Sequence, residues 1–298
     1  MVLRKPNYNA GIGLALGGGG ARGFAHLGVF QALEEADIPI KIISGCSMGA
    51  IVGGLYAYYT DVSKAKQFLL NMFEKPAFKD LHLEMFSSTR KKFKRNFAFD
   101  LNYTIQRYYN YYKTIRDQAM ISAKTVDEIL EDFPSVKMEN LKIPFFANAT
   151  DLISGQEFIL KKGYLKNAVR ASASIPAIFP PVKRKNLLLV DGGVTDLVPV
   201  RPLKIKYNDI PVIAVDVGPS IFNNGFFSNG LQILWRVQEI QFHHLAYERK
   251  KDAELIIQPD IRKYTWADVD LMDKFIEAGK KSTQEKIDEI KNILKKRN

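Results

Sequence analysis

Short apolar runs that end near glycines alternate with amphipathic stretches at the start of the chain, and this alternation limits the fold more than any other feature. Residues 11–16 (GIGLAL) and 40–44 (IKIIS) have the length and composition of buried strands. Apolar residues recur at helical spacing from Phe24 to Asp37, and residues 48–59 (MGAIVGGLYAYY) form a second helix-like stretch rich in small residues. This strand–helix–strand–helix order predicts an α/β fold with a mainly parallel central sheet and crossover helices.

Further strands are expected along the rest of the chain, separated from the first two by one long region. The predicted strands lie at residues 144–151, 157–160, 186–193, 211–218 and 254–259. The first two of these are joined by a hairpin-like turn at 153–156. Residues 62–140 lack a convincing strand and are interpreted as a helical insertion. We therefore expect one domain over residues 11–218, and an extension over 219–298 that packs on it and ends in a helix.

The charge balance is basic, with 43 Lys and Arg against 32 Asp and Glu and a net charge of +11. Such a chain suits nucleic acid, an anionic membrane or an acidic small molecule, and charge alone does not choose among them. The single cysteine, Cys46, excludes an intrachain disulfide and fits a reducing compartment. No apolar run has the length of a membrane span, and the first residues do not lead into a signal-peptide core. We expect a cytoplasmic protein, with peripheral contact at the inner face of the membrane left open.

A basic segment followed by tyrosines is the candidate for that contact. Residues 90–95 (RKKFKR) carry five basic side chains, and five tyrosines follow within residues 103–112 on a predicted helix. Basic residues at headgroups and aromatic residues at the interface would suit an anionic bilayer. A solvated basic face is the alternative. No recognised module accompanies the segment, so a nucleic-acid partner is not expected.

Four consecutive glycines open the segment GGGGARG (17–23), which follows the first strand and leads into a helix. Residues 18–23 fit the dinucleotide-binding pattern G-x-G-x-x-G, but residues 45–47 (GCS) occupy the place where that site needs an acid. A phosphate-binding P-loop fails because Phe24 stands where its lysine should be. Consecutive N–H groups at a helix start could instead stabilise an oxyanion, and a turn without any ligand is the simplest alternative.

The segment GCSMG (45–49) matches the pattern that holds a nucleophilic serine, Ser47, on a sharp strand-to-helix turn. Such a serine usually takes a histidine as its base. The chain has four histidines in no catalytic pattern, and a structural role is expected for each: His26, His82, His243 and His244. If Ser47 is a nucleophile, another side chain must accept its proton.

Asp191 is the other candidate base. It ends the apolar run LLLVD, and Gly192 and Gly193 beside it would allow close approach. A carboxylate whose pKa is raised by burial can act as a general base near neutral pH. The alternative is a turn aspartate, because Asp-Gly is a common turn pair. In an open α/β sheet, the glycine cluster and Ser47 would meet at the carboxyl ends of adjacent strands, where ligands bind.

Taken together, these segments resemble the patatin-like phospholipases, in particular bacterial serine acyl hydrolases of that family. The segments GGGGARG, GCSMG and DGG (191–193) occur in the order of the family's motifs. Residues 149–155 (ATDLISG) and 171–176 (ASASIP) are similar to two further family segments. The resemblance covers about residues 11–217, which is most of the chain.

The resemblance implies a three-layer α/β/α fold and a Ser–Asp dyad that uses no metal or cofactor. Ser47 is then the nucleophile and Asp191 its proton acceptor. The oxyanion hole would be formed by the backbone at Gly18, Gly19 and Gly20, with Arg22 adjacent. The glycines that support these motifs are Gly23, Gly45, Gly49, Gly192 and Gly193.

The function expected from this site is hydrolysis of a lipid acyl ester with release of a fatty acid. The acyl chain would need an apolar pocket, for which the helices of 62–140 could form a roof. Two other classes stay open, namely a catalytically silent interaction protein on the same scaffold and a dinucleotide-dependent oxidoreductase. The intact Ser47, Asp191 and glycine cluster argue against the first, and the missing acid argues against the second. The sequence leaves the headgroup, the chain length and the oligomeric state open.

Overall fold

An eight-stranded sheet forms the centre of the computed structural model, which describes residues 11–81, 116–219 and 230–296. Its strands are β1 (Ile12–Leu16), β2 (Ile40–Gly45), β3 (Phe145–Asp151), β4 (Glu157–Leu160), β5 (Val182–Arg184), β6 (Leu187–Asp191), β7 (Val212–Val215) and β8 (Leu255–Ile257). Hydrogen-bonded neighbours follow the path β5-β6-β3-β2-β1-β7-β8, in which β6 and β2 share one edge of β3 and β4 pairs with its other edge. From β3 through β8 the neighbouring strands of this path run parallel, whereas β4, β5 and β6 join by antiparallel pairing.

Helices cover both faces of this sheet. They are α1 (Ala25–Glu35), α2 (Met48–Tyr59), α3 (Val62–Glu74), α4 (Pro76–Lys79), α5 (Ala123–Ile129), α6 (Leu165–Ser172), α7 (Arg201–Lys206), α8 (Gly230–Lys250), α9 (Met272–Gln284) and α10 (Ile287–Lys295). Side chains of the fully buried strand β1 alternate between the faces, because successive residues of a strand point in opposite directions. Leu16 packs in the core that contains Phe275 of α9, and Ala15 packs with Leu203 of α7 and Ala246 of α8. The predicted three-layer α/β/α architecture is therefore confirmed.

Most predicted elements are present, with shifts at their ends. The helix predicted at 48–59 matches α2, and the hairpin predicted around 153–156 joins the antiparallel strands β3 and β4. Three short elements were not predicted: β5, α6 and α7. β5 has three residues and an exposed, polar composition, so it has no apolar pattern. α6 does carry helical spacing at Leu165, Ala168 and Val169, but over eight residues this signal is weak.

The region 62–140 is helical where the structure describes it. Its described parts contain α3, α4 and α5 and no strand of the sheet. The basic segment 90–95, the tyrosines within 103–112 and His82 lie outside the described residues. Within the described ranges, no helix combines the length and the apolar character that crossing a bilayer requires.

Candidate active site

Ser47 lies at the sharp turn between β2 and α2. It is 6% exposed and has φ 52° and ψ −120°, in the positive-φ region that few residues other than glycine adopt. The turn can close tightly because Gly45 and Gly49 have no side chains. A Cβ at Gly45 would overlap the carbonyl of Gly49, and a Cβ at Gly49 would overlap the carbonyl of Leu16. The structure thus contains the predicted strand-to-helix turn, with a physical reason for its two glycines.

The ends of β2 and β6 meet on one edge of β3. Gly45, at the end of β2, pairs with Ala147, and Asp191, at the end of β6, pairs with Ala149. β4 pairs with both Ala147 and Ala149, so it occupies the opposite edge of β3. β2 and β6 therefore approach end to end, about 7 Å apart along β3. The antiparallel direction of β6 turns Asp191 toward Ser47, which follows directly after the end of β2.

The Asp191 carboxylate is buried and receives few hydrogen bonds. Oδ1 accepts one from the N–H of Gly193 at 2.8 Å and a weak one from the Cys46 thiol at 3.7 Å. Oδ2 is buried, and no donor among the described residues meets the distance and angle criteria for a hydrogen bond to it. Burial raises the pKa of Asp191 to about 6, although the nearby Ser47 hydroxyl, the Gly193 amide and the Cys46 thiol each oppose the rise. Such a carboxylate is mostly ionised at neutral pH and more basic than a free one.

The glycine cluster approaches Ser47 closely, but not all of its amides are available. A Cβ at Gly18 would lie 3.2 Å from the Cβ of Ser47. The N–H of Gly18 donates to the carbonyl of Leu197 at 2.9 Å, so this amide already has an acceptor within the protein. The amides of Gly19 and Gly20 have no acceptor within the part of the chain that the structure describes. These two amides are the donors that a ligand beside Ser47 can use.

Arg22 follows the glycine cluster and is not among the described residues that line the cleft beside Ser47. It is 5% exposed, and its guanidinium donates to the carbonyl of Tyr264 at 2.9 Å. Burial lowers the pKa of Arg22 to about 10, while the carboxylates of Glu239, Asp216 and Asp268 oppose that change. Arg22 therefore stays charged at neutral pH and ties the glycine cluster to the segment around Tyr264.

The remaining predicted glycines lie where neighbouring segments come close. A Cβ at Gly23 would overlap the side chain of Met48, and a Cβ at Gly192 would overlap the side chain of Asn148. A Cβ at Gly193 would lie 3.1 Å from Oδ1 of Asp191. Substitution at these positions would push apart the segments that carry Ser47 and Asp191.

The histidines within the described residues have structural contacts, as expected. His26 is fully buried, and its Nε2 lies 2.8 Å from the carbonyl oxygen of Gly17. Burial lowers the pKa of His26 to about 4, so the ring is neutral and Nε2–H donates to Gly17. His243 lies near the carbonyl of Pro219 and against the ring of His244. None of these three is recorded in contact with Ser47.

Two polar side chains near the site were not predicted as part of it. Ser172 is fully buried at the end of α6, and its Oγ accepts a hydrogen bond from the N–H of Ser47 at 3.0 Å. Asp196 is also fully buried, and burial together with the carboxylate of Glu157 raises its pKa to about 7. The ASASIP segment was a signal for Ser172, whereas no local pattern marks Asp196.

An apolar cleft of about 820 Å³, its mouth included, opens beside Ser47. Residues of the region 62–140 that line it are Met72, Phe73, Phe78, Leu81, Val126, Ile129 and Leu130. The facing wall includes Met48, Ile51, Val169 and Ile175. Among the described lining residues, Arg170 alone is charged, and it pairs with Asp127 of α5. The predicted pocket under the helices of 62–140 is therefore present, and its walls suit an apolar chain that ends at Ser47.

Comparison with known proteins identifies the family. The amino-acid sequence matches the family model of the patatin-like phospholipases over residues 14–204. The chain belongs to the patatin-like phospholipase family. This patatin-like chain is 37% identical over 212 residues to the lysophospholipase NTE1 of Cryptococcus neoformans, which covers 70% of the chain and 11% of that protein. It is 31% identical over 311 residues to the lysophospholipase NTE1 of Coccidioides immitis, which covers 94% of the chain and 18% of that protein.

The patatin-like chain therefore spans between about a tenth and a fifth of the length of these curated relatives. A solved structure with the same fold is VipD from Legionella pneumophila, with a TM-score of 0.53 and 13% sequence identity. That likeness covers 94% of this chain and 67% of VipD. At this identity the match supports the fold of the patatin-like chain and nothing finer.

Proposed function

We propose that this chain is a serine lipid acyl hydrolase in which Ser47 attacks the ester carbonyl and Asp191 accepts the proton of its hydroxyl. The observation that carries the proposal is the proximity of the Ser47 hydroxyl to the buried Asp191 carboxylate, together with the apolar cleft that Ser47 lines. Such a cleft can bury an acyl chain, and a buried carboxylate beside a hydroxyl can act as its base.

In the first half of the proposed reaction, Oγ of Ser47 forms a bond to the acyl carbon while its proton moves to Asp191. The C–O bond to the alcohol then breaks, and the alcohol leaves with the proton that Asp191 had accepted. The acyl chain remains on Ser47 as an ester. General base catalysis of this kind contributes about 10²- to 10⁴-fold to the rate.

The amides of Gly19 and Gly20 are the proposed donors to the oxyanion that develops during this step. Both amides lack a protein acceptor in the described ranges, and Gly20 lines the cleft together with Ser47. The N-terminus of α2 adds positive potential at the same point. One donor of this type typically lowers the barrier by about 3 kcal/mol. Gly18 and Arg22 then hold the segment in place instead of contacting the substrate.

In the second half, a water molecule attacks the acyl carbon and gives a proton to Asp191. The bond to Ser47 breaks, Asp191 returns the proton to Oγ of Ser47, and the fatty acid is released. Every proton in these steps has a place on Asp191, on Ser47 or on a product. The proposed reaction therefore uses no metal or cofactor.

A lipid with one acyl chain, of the lysophospholipid type, is the proposed substrate. The two relatives described above are named lysophospholipases, and the family is that of patatin-like phospholipases. The single apolar cleft beside Ser47 is compatible with one chain. We expect turnover of a lysophospholipid to exceed turnover of the corresponding two-chain phospholipid.

We also propose how the chain is organised around this reaction. Residues 11–218 form the catalytic domain, with 62–140 supplying the roof of the cleft and 219–298 packed against the domain. Trp266 and Val269 line the cleft, which supports a close association of the last region with the site. The net charge of +11 supports peripheral contact with an anionic membrane from the cytoplasmic side, through residues 90–95.

Labelling with a serine-directed fluorophosphonate tests the nucleophile. We expect Ser47→Ala to abolish both labelling and ester turnover. Asp191→Asn should lower turnover by about 10²- to 10⁴-fold, because an amide accepts no proton at neutral pH. Ser44→Ala is the matched control, since Ser44 is a buried serine of β2 whose hydroxyl donates to the carbonyl of Pro199 at 2.6 Å. This variant should be labelled like the wild type.

Each outcome tests a different part of the proposal. Labelling that persists in Ser47→Ala would refute the nucleophile. Full turnover by Asp191→Asn would keep Ser47 and reject the aspartate as its base. A wild-type chain that is neither labelled nor active on esters would favour the catalytically silent scaffold.

A further inference from the structure

The peptide plane that joins Cys46 to Ser47 is hydrogen-bonded through both its carbonyl oxygen and its N–H. Its carbonyl oxygen, on Cys46, accepts a hydrogen bond from the N–H of Gly49 at 2.7 Å. Its N–H, on Ser47, donates to Oγ of Ser172 at 3.0 Å. The first bond is local to the turn, whereas the second reaches across to the end of α6. The plane is therefore held on both sides, and among the described residues Ser172 supplies its only hydrogen bond from outside the turn.

The backbone of Ser47 needs such support. Its φ of 52° is a strained backbone conformation for a residue with a side chain. It persists only where the surrounding structure leaves the residue no alternative. Ser172 is fully buried, so its hydroxyl faces no competition from solvent for the Ser47 amide. Without that acceptor, the amide of Ser47 would be a buried donor without a partner and the turn would tend to relax.

The same short segment also holds the backbone of Asp191. The carbonyl of Ser174 accepts a hydrogen bond from the N–H of Asp191 at 2.9 Å. The hydroxyl of Ser174 donates to the carbonyl of Arg170 at 2.8 Å. This bond ties the residues that follow α6 to its last turn. Ser172 and Ser174 thus connect the two residues of the proposed dyad through one rigid turn. Their separation is set by this turn as well as by the pairing of β2 and β6 with β3.

We infer that Ser172 is a positioning residue for the acyl transfer: its hydroxyl fixes the Cys46–Ser47 peptide plane and thereby aims Oγ of Ser47 at Asp191 and at the substrate carbonyl. This inference rests on the proposed function. Ser172 itself touches neither the substrate nor the proton that moves. Its loss should act on the chemical step, because a misplacement of about 1 Å can lower a rate by about 10²-fold.

The test compares Ser172→Ala, Ser172→Thr and Ser172→Cys on a soluble short-chain ester. Alanine removes the acceptor, and we expect kcat to fall about 10- to 100-fold while KM stays within about twofold. Threonine keeps the hydroxyl and should restore most of kcat. Cysteine keeps the size but is a weak acceptor, so its kcat should fall between those of alanine and wild type. This variant keeps the test decisive if alanine or threonine disturbs folding.

Thr283→Ala is the matched control for a merely structural effect. Thr283 is as buried as Ser172, and its hydroxyl donates to the carbonyl of Gly279 at 2.8 Å on α9. This variant should lose stability and keep the kcat of the wild type. Hydrogen exchange at the Ser47 amide gives a readout that needs no activity, and Ser172→Ala should accelerate it.

The outcomes distinguish the two proposals. A wild-type chain without ester turnover would refute the hydrolase, and with it any role in positioning. An active wild type with an unchanged kcat in both Ser172→Ala and Ser172→Cys would refute the role of Ser172 alone. Unchanged exchange at the Ser47 amide in Ser172→Ala would also refute it. If kcat fell as much in Thr283→Ala as in Ser172→Ala, the loss in Ser172→Ala would reflect lower stability of the fold. The positioning role of Ser172 would then be refuted.

Discussion

At the scale of single residues, Asp191 should set the acid limb of the pH–activity profile. Burial raises its pKa to about 6, and only the ionised form can accept the proton of Ser47. As the pH falls through about 6, Asp191 becomes protonated and kcat/KM should fall by about tenfold per pH unit. Above that pH, kcat/KM should stay level until another group titrates. The measurement is kcat/KM for a soluble ester between about pH 5 and 8.

Asp196 provides the control for this profile, because burial raises its pKa to about 7, into the same range. Asp196→Asn removes that titration and leaves Asp191 in place. We expect the acid limb to remain near pH 6 in this variant. A limb that disappears in Asp196→Asn would assign the titration to Asp196 and contradict the role of Asp191.

The sequence allowed some of these residues to be predicted and not others, for a physical reason. Ser47 and Asp191 were predictable because their tight turns require glycines at fixed neighbouring positions. The role of Ser172 was not, although the ASASIP segment marks its position, because the amide that its hydroxyl accepts from is 125 residues away. The acceptor of the Gly18 amide, Leu197, likewise belongs to a distant segment that no local pattern indicates.

At the scale of elements, the roof of the cleft should control the length of the acyl chain. Val126 of α5 lines the cleft away from the strand ends that carry Ser47 and Asp191. Val126→Phe would fill space that a long chain occupies. Each methylene kept out of an apolar site loses about 0.8 kcal/mol, so exclusion of two or three should lower kcat/KM for a long-chain ester by about 10- to 50-fold. Turnover of a butyryl ester should stay within about twofold.

Lys124→Phe is the control, because Lys124 lies on the same helix, is exposed and does not line the cleft. It adds the same aromatic ring outside the cleft and should leave the preference for chain length unchanged. Equal losses for long and short esters in Val126→Phe would contradict a cleft that binds the acyl chain. The comparison requires only kcat/KM for esters of increasing length.

Elements were predictable from the sequence where they are long or buried on both faces. The runs that became β1 and β2 read as strands because they are mainly apolar, and the β3 run reads so from its apolar start, Phe145–Ala147. Their pairing was less accessible, since β6 is antiparallel to β3 and meets β2 end to end. No local pattern fixes that arrangement, yet it brings Asp191 to Ser47. The sequence thus predicts the two residues that we propose to react, and long-range pairing decides how they meet.

At the scale of the whole molecule, the residues beyond the family match pack closely against the first helix. A Cβ at Gly279 of α9 would overlap the carbonyl of Ala25, and a Cβ at Gly28 of α1 would overlap the carbonyl of Ile276. The two helices therefore touch through their backbones. Because α1 directly follows the glycine cluster, this contact supports the site as well as the core. We expect the chain to unfold as one unit.

Gly279→Ala tests that expectation. Alanine favours a helix by roughly 1 kcal/mol over glycine, but here its Cβ would force α9 away from α1. The clash should prevail and lower the free energy of unfolding by about 1–3 kcal/mol. Gly230→Ala is the control, because a Cβ at Gly230 meets no atom of the described residues within 4 Å. In Gly279→Ala, the helical circular-dichroism signal and the fluorophosphonate labelling should be lost together, in a single transition at a lower temperature than in the wild type. Two separate transitions would show that the last helices fold apart from the site.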